Sequence, residues 1–279
     1  MLKKLLKYEF QATARYFLPL YLLIIVLALL TRLTMSITIE SNQLLKNLLV
    51  DLPSVLMAFA YGAGLLSIGL VTLLLVVQRF YSNLLGREGY LMFTLPVTPV
   101  KLLWSKLLAA LVWGAASAAA VIVSLIVLLA DQNIFWYMGD FFRELFDLLS
   151  RGGTSLWMIL LLGVAVLLTG ALHSYLQIYA AIILGCQAKK YRILLGIVIY
   201  IGISMAEQFL MGVGMTILAL VPDFSMSLLY LFGYQQSTPE AVYSLFNLVL
   251  TGLLVFNVVL GTGYYVLTWQ MMKKRLNLE

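Results

Sequence analysis

The sequence has a single cysteine, Cys186, and a single histidine, His173, in 279 residues. One cysteine excludes an intramolecular disulfide framework, a multi-cysteine zinc site and a CxxC redox pair. One histidine cannot build a multi-histidine metal centre. Charge is scarce as well, since Asp, Glu, Lys and Arg together make up 11% of the chain. Neither HExxH, nor GxSxG, nor the phosphate-cradling GxxxxGK[ST] occurs, so the short signatures of metalloproteases, serine hydrolases and P-loop ATPases are missing. The expectation is a chain that is not itself an enzyme and carries no cofactor. If ATP drives it, another chain must bind the nucleotide.

What the sequence has in abundance is apolar surface. Hydrophobic residues are 63% of the total and the mean hydropathy is +1.00. A soluble domain cannot bury that much, because its outer face must stay polar. A bilayer span needs about 20 apolar residues to cross a hydrocarbon core of about 30 Å. Six stretches meet the requirement, roughly 18–39, 54–78, 107–130, 155–186, 193–221 and 241–270. The expected fold class is therefore all-α, a polytopic membrane protein with one transmembrane domain over residues 1–279 and no separate soluble domain. The last three stretches exceed one crossing, which predicts tilt, protrusion or a break near Gly170, Gly212, Gly214 or Gly263. Small residues at helix-packing spacing, Ala58 with Gly62 and Ala110 with Gly114 and Ala118, predict close backbone approach.

Basic residues set the expected orientation. Lys3, Lys4, Lys7, Arg15, Arg79, Arg87, Lys101, Lys106, Lys189, Lys190, Arg192, Lys273, Lys274 and Arg275 would share one side, which is 14 of the 18. Only Arg32, Lys46, Arg143 and Arg151 fall on the other. The positive-inside rule then puts both termini in the cytoplasm of a plasma-membrane protein. The net charge of +6 reads as basic loops facing anionic lipid and partner proteins rather than nucleic acid.

The N-terminal basic run resembles a signal peptide only superficially, since the apolar stretch is too long and no A-x-A-like site follows. Over residues 1–17, Leu2, Leu5, Leu6, Phe10, Thr13 and Phe17 share one helical face. Lys3, Lys4, Lys7, Gln11 and Arg15 share the other, and Glu9 alone is out of place. The pattern predicts an interfacial helix along the inner leaflet, against the plainer alternative of a basic, disordered tail. Residues 134–149 likewise separate Asp140, Arg143, Glu144 and Asp147 from Phe141, Phe142, Leu145, Leu148 and Leu149. That predicts a short amphipathic helix on the outer leaflet. Residues 222–240 are too apolar for a free loop and are expected to dip back into the outer leaflet.

Two ionisable side chains fall deep in spans, His173 in the fourth and Glu207 in the fifth. A carboxylate near the bilayer centre costs about 2.5 to 3.5 kcal/mol. About fifteen Ile, Leu, Val and Phe residues in the fifth span each return about 0.3 to 0.6 kcal/mol, so insertion wins. Two readings follow. Glu207, with Gln208 or His173 as partner, is a polar element of a transport path, or it is a hydrogen-bonded group that fixes helix packing.

The segment 79–106, between the second and third spans, is too apolar for a free loop: Tyr90, Leu91, Met92, Phe93 and Leu95 follow Arg87, Glu88 and Gly89. Pro96 and Pro99 punctuate it, with Thr94 and Thr98 placed to cap helices. It reads as a docking surface for a cytoplasmic partner or as a segment packed on the protein's own base. The opening MLKKLLKYEFQATARYFLPLY, the segment GREGYLMFTLPVTPVKLLWSK and the six-span layout resemble a bacterial ATP-binding-cassette transporter permease of the type-2 exporter class. The resemblance implies an N-terminal elbow helix and a coupling helix in which Arg87, Glu88, Gly89, Tyr90, Leu91, Phe93, Pro96 and Lys101 contact the ATPase. It also implies cytoplasmic ATPase subunits, a second permease subunit meeting this one at the first and fifth spans, and re-entrant helices between the fifth and sixth. The cargo expected from the apolar walls is a hydrophobic or amphipathic compound, such as a peptide antibiotic or a lipid-like molecule. The alternative is a membrane sensory or immunity protein that binds a peptide or lipid without transport. An intramembrane enzyme using Glu207 and His173 stands third.

Overall fold

The structure, a computed structural model of the chain, describes residues 2–36, 51–85, 98–130, 134–151, 153–188, 190–221, 224 and 239–274. Among them the architecture is all-helical. Seven α-helices follow in order: α1 (Leu2–Ser36), α2 (Leu52–Phe80), α3 (Pro99–Leu129), α4 (Ile134–Arg151), α5 (Gly153–Gly185), α6 (Arg192–Ala219) and α7 (Pro239–Lys274). A π-helical turn, Tyr81–Leu85, continues α2. All but α4 are long and apolar enough to cross a membrane. Six such helices mark a multi-pass membrane protein, as the hydropathy requires.

Two of the sequence-based boundaries shift markedly. The expected interfacial helix over 1–17 is not separate: α1 runs unbroken through Pro19 into the first span. The reason lies in its buried stripe. Glu9, Thr13, Phe17, Ile24, Ala28 and Thr31 are all buried and share one face of a single continuous helix, so breaking it at Pro19 would separate the two halves of one packing surface. Lys3, Lys7, Gln11 and Arg15 face away and are exposed. The third helix begins at Pro99, eight residues before the expected 107, because Thr98 takes an extended conformation (ψ 144°) ahead of Pro99 at the first helical position. Thr98 caps through its backbone carbonyl, which accepts from the Lys101 N–H at 2.9 Å, and its side chain makes no cap bond. Finally, α5, α6 and α7 run through Gly170, Gly212, Gly214 and Gly263 without a break.

The chain divides into two compact units. Unit one comprises Met1–Asn83 and Leu95–Phe141, and unit two Leu84–Thr94 and Phe142–Glu279. In unit one, α1 packs on both α2 and α3. Phe17 stacks on Trp113 at 4.5 Å with the rings 11° from parallel. Ile24, Ala28, Tyr61 and Ile68 form an apolar cluster. Polar side chains cross-link the three helices: the Ser117 hydroxyl meets Tyr21 at 2.8 Å and Thr72 at 2.9 Å, and Ser124 meets Tyr61 at 2.9 Å. The close approach expected at Gly62 is found at Gly64 instead. An added Cβ would meet nothing within 4 Å at Gly62, but Ile24 Cδ1 at 2.8 Å at Gly64. Glu9, the residue out of place in the amphipathic pattern, accepts a hydrogen bond from Lys106 Nζ, and both side chains are buried. Nearby, Arg79 Nη2 donates to the Ala12 carbonyl at 2.9 Å.

In unit two, α5 is central and packs on both α6 and α7. Of α6 only Gly196 is fully buried; most of its apolar side chains are exposed, which lipid tolerates and water would not. The α5–α6 connection is tight. A Cβ at Gly185 would lie 2.5 Å from the Gly196 nitrogen and 2.8 Å from the Arg192 carbonyl oxygen, so the two helix backbones touch there. Tyr191, just ahead of α6, sits at φ 60° to make the turn.

Candidate functional site

Polar side chains in an apolar helix must find partners within the protein, and unit two gathers its own midway along α6. Glu207 is 15 residues into that helix, about 22 Å from Arg192 along the axis at 1.5 Å per residue. Its carboxylate meets three groups from two other helices. From α5, His173 Nε2 lies 3.1 Å from Oε1, and Gln177 Nε2 donates to Oε2 at 3.2 Å. From α7, the Tyr264 hydroxyl donates to Oε1. Gln177 also donates to the Ser204 hydroxyl at 3.1 Å. His173 Nδ1 faces Asn257 Oδ1 at 3.1 Å, so both ring nitrogens are engaged.

Helical spacing explains the grouping. His173 and Gln177 are four apart on α5, and Asn257 and Tyr264 are seven apart on α7, so each pair shares a face. Aromatic rings fix the imidazole: Tyr264 stacks on it at 5.6 Å with planes 4° apart, and Phe256 meets it edge-on at 6.3 Å. The α5 and α7 backbones run near each other here, with room for a methyl at ordinary contact distance. A Cβ at Gly261 would stand 3.7 Å from His173, and one at Gly170 3.5 Å from Asn257 Nδ2.

Beside this cluster lies a cleft of about 530 Å³, with His173 of α5, Glu207, Gln208 and Met211 of α6, and Phe256 and Asn257 of α7 among its lining. The volume is that of a small-molecule site. Among the described residues no Lys or Arg lines it.

The structure thus brings together His173 and Glu207, as the sequence suggested. Gln208 reaches the same cleft but is exposed and makes no hydrogen bond with Glu207. Gln177, Ser204, Asn257 and Tyr264 were missed. Their available signal was a polar side chain inside an apolar run, at helical spacing from one already noted. Of the expected ATPase contacts, Lys101 lies exposed in the first turn of α3. Arg87, Glu88, Gly89, Tyr90, Leu91, Phe93 and Pro96 lie outside the described residues, as does nearly all of the segment 222–240. The amphipathic segment 134–149 is helical as α4, with Trp136, Tyr137, Phe141, Phe142 and Phe146 exposed.

Among the described residues no group of three or more His, Cys, Asp or Glu side chains could hold a metal ion. Through its two oxygens the Glu207 carboxylate ties α5 and α7 to α6 in one hydrogen-bonded cluster beside the cleft. This architecture and site define an all-helical multi-pass membrane protein with a polar cluster at mid-helix depth. Comparison with protein-family models, curated proteins and solved structures finds no match to the chain.

Proposed function

We propose that the chain is the transmembrane permease subunit of an ATP-driven transporter of the type-2 exporter class, moving a hydrophobic or amphipathic compound. Cytoplasmic ATPase subunits and a second permease subunit complete the working unit. The observation that carries the reading is the Glu207–His173–Tyr264 cluster opening on a cleft between α6 and α7. Polar and ionisable side chains at such depth are costly and concentrate along substrate paths. The resemblance of residues 1–21 and 86–106 to permeases of that class is what brings in the ATPase partner, with Glu88 as the charged contact, and the distribution of basic residues puts both termini in the cytoplasm.

The test is purification of the full chain from its native membrane in mild detergent, with co-purifying proteins identified and ATP hydrolysis assayed. An ATPase subunit in stoichiometric amount, lost when Glu88 and residues 90–95 are replaced, is the expected result. A chain that purifies alone and without ATPase activity, under conditions that keep other transporter complexes whole, rejects it. That outcome favours a sensory or immunity protein that binds its ligand without moving it.

A further inference from the structure

A second cleft of about 680 Å³ has a lining that follows on from that of the cleft beside Glu207 along the same two helices: Leu218 of α6, three residues past Met215, and Ser244, Asn247, Leu248, Thr251 and Val255 of α7, the last beside Phe256. Together they trace a groove from Ser204 to Leu218 on α6 and from Asn257 back to Ser244 on α7. Fourteen and thirteen residues of helix give the same length, about 20 Å. The groove is polar at Glu207 and Gln208 and apolar along Met211, Met215, Leu218, Leu248 and Val255. Methionines suit chains of variable shape, since they are unbranched and polarizable.

The charge pattern narrows the occupant. Among the described residues, Glu207 is the only acidic one on the groove, and no Lys or Arg lines either part of it. His173 cannot serve an anion, because Glu207 and Asn257 occupy both ring nitrogens. A carboxylate offers about four acceptor positions. Among the described residues Tyr264 and His173 face Oε1 and Gln177 alone faces Oε2, so Oε2 has room for one more donor. Phe256 lines the same cleft, and aromatic rings attract cations. A phosphate headgroup would meet a carboxylate with no compensating cation; an ammonium meets what it needs.

We propose that the α6–α7 groove binds one amphipathic organic ammonium ion, its nitrogen donating to Glu207 Oε2 and its unbranched chain lying along Met211, Met215, Leu218 and Leu248. The proposal rests on the same site as the transporter reading and names the ligand class for it, but binding requires no ATPase.

The experiment uses the full chain in phosphatidylcholine nanodiscs and three radiolabelled probes of equal chain length: hexadecylammonium, hexadecanol and hexadecyl phosphate. Hexadecylammonium is expected to bind at least tenfold more tightly than either of the others. Glu207→Gln should bring it to within about twofold of the alcohol. Gly212→Leu and Gly252→Leu place a side chain where a Cβ meets nothing within 4 Å. Each should weaken binding at least tenfold while the thermal midpoint is kept, which separates a blocked groove from a misfolded one. Equal binding of all three probes, unaffected by the leucines, would mean that ordinary lipid chains fill the groove and overturns the proposal. A change of oligomeric state in Gly212→Leu without loss of the ammonium would mean that a second copy covers it, and overturns it too. Selective ammonium binding by a chain without an ATPase partner sinks the exporter reading alone. An ATPase partner without ammonium selectivity sinks this proposal alone.

Discussion

Glu9 and Lys106 offer the sharpest test of unit one. Their side chains retain 10% and 3% of their accessible surface, and Lys106 Nζ donates to Glu9 Oε1 across 97 residues of sequence. Removing one member of a buried ion pair typically costs about 3 to 5 kcal/mol. Replacing both with apolar residues of similar size is neutral, or stabilising by up to about 4 kcal/mol. Lys106→Met and Glu9→Leu alone should therefore each lower the thermal midpoint, by roughly 6 to 20 °C at about 2 to 4 °C per kcal/mol. The double variant should recover to wild type or above. Heating the detergent-solubilised protein and reading the surviving monodisperse fraction by size exclusion gives all four corners of the cycle. Losses that simply add in the double variant would refute the reasoning, because they would mean the two groups are independently solvated.

Two further outcomes follow from the helix contacts. Gly185→Ala puts a methyl 2.5 Å from the Gly196 backbone nitrogen, where only a helix shift can relieve it; overpacking of this kind costs about 1 to 3 kcal/mol, and the same heating assay should show a lower midpoint for Gly185→Ala but not for Gly163→Ala, where the Cβ meets nothing within 4 Å. Ser117→Ala removes the hydroxyl that joins Tyr21 and Thr72; interhelical hydrogen bonds in membranes average about 0.6 kcal/mol each with a maximum of about 1.7, so the loss should exceed that of Ser67→Ala, whose hydroxyl bonds only within its own helix to the Gly64 carbonyl. Equal midpoints for the two serine variants would show that the Ser117 bonds do not hold the helices together.

Hydropathy along the chain was enough to determine six long apolar helices, since crossing a bilayer depends on the length of each run and on little else. It also singled out Glu207 and His173, because an ionisable side chain inside such a run is conspicuous wherever it lies. Partnership was beyond it. Glu9 read as an error in an amphipathic pattern until α3 brought Lys106 to it, and the continuity of α1 through Pro19 followed from a packing stripe that only its neighbours reveal. Tyr264 and Asn257 lie over eighty residues from His173 in the sequence, and Gly185 differs from a dozen other glycines only in what stands opposite it. Transfer free energy is a local sum over residues. Which polar groups meet is decided by the crossing of whole helices, and that belongs to the tertiary structure.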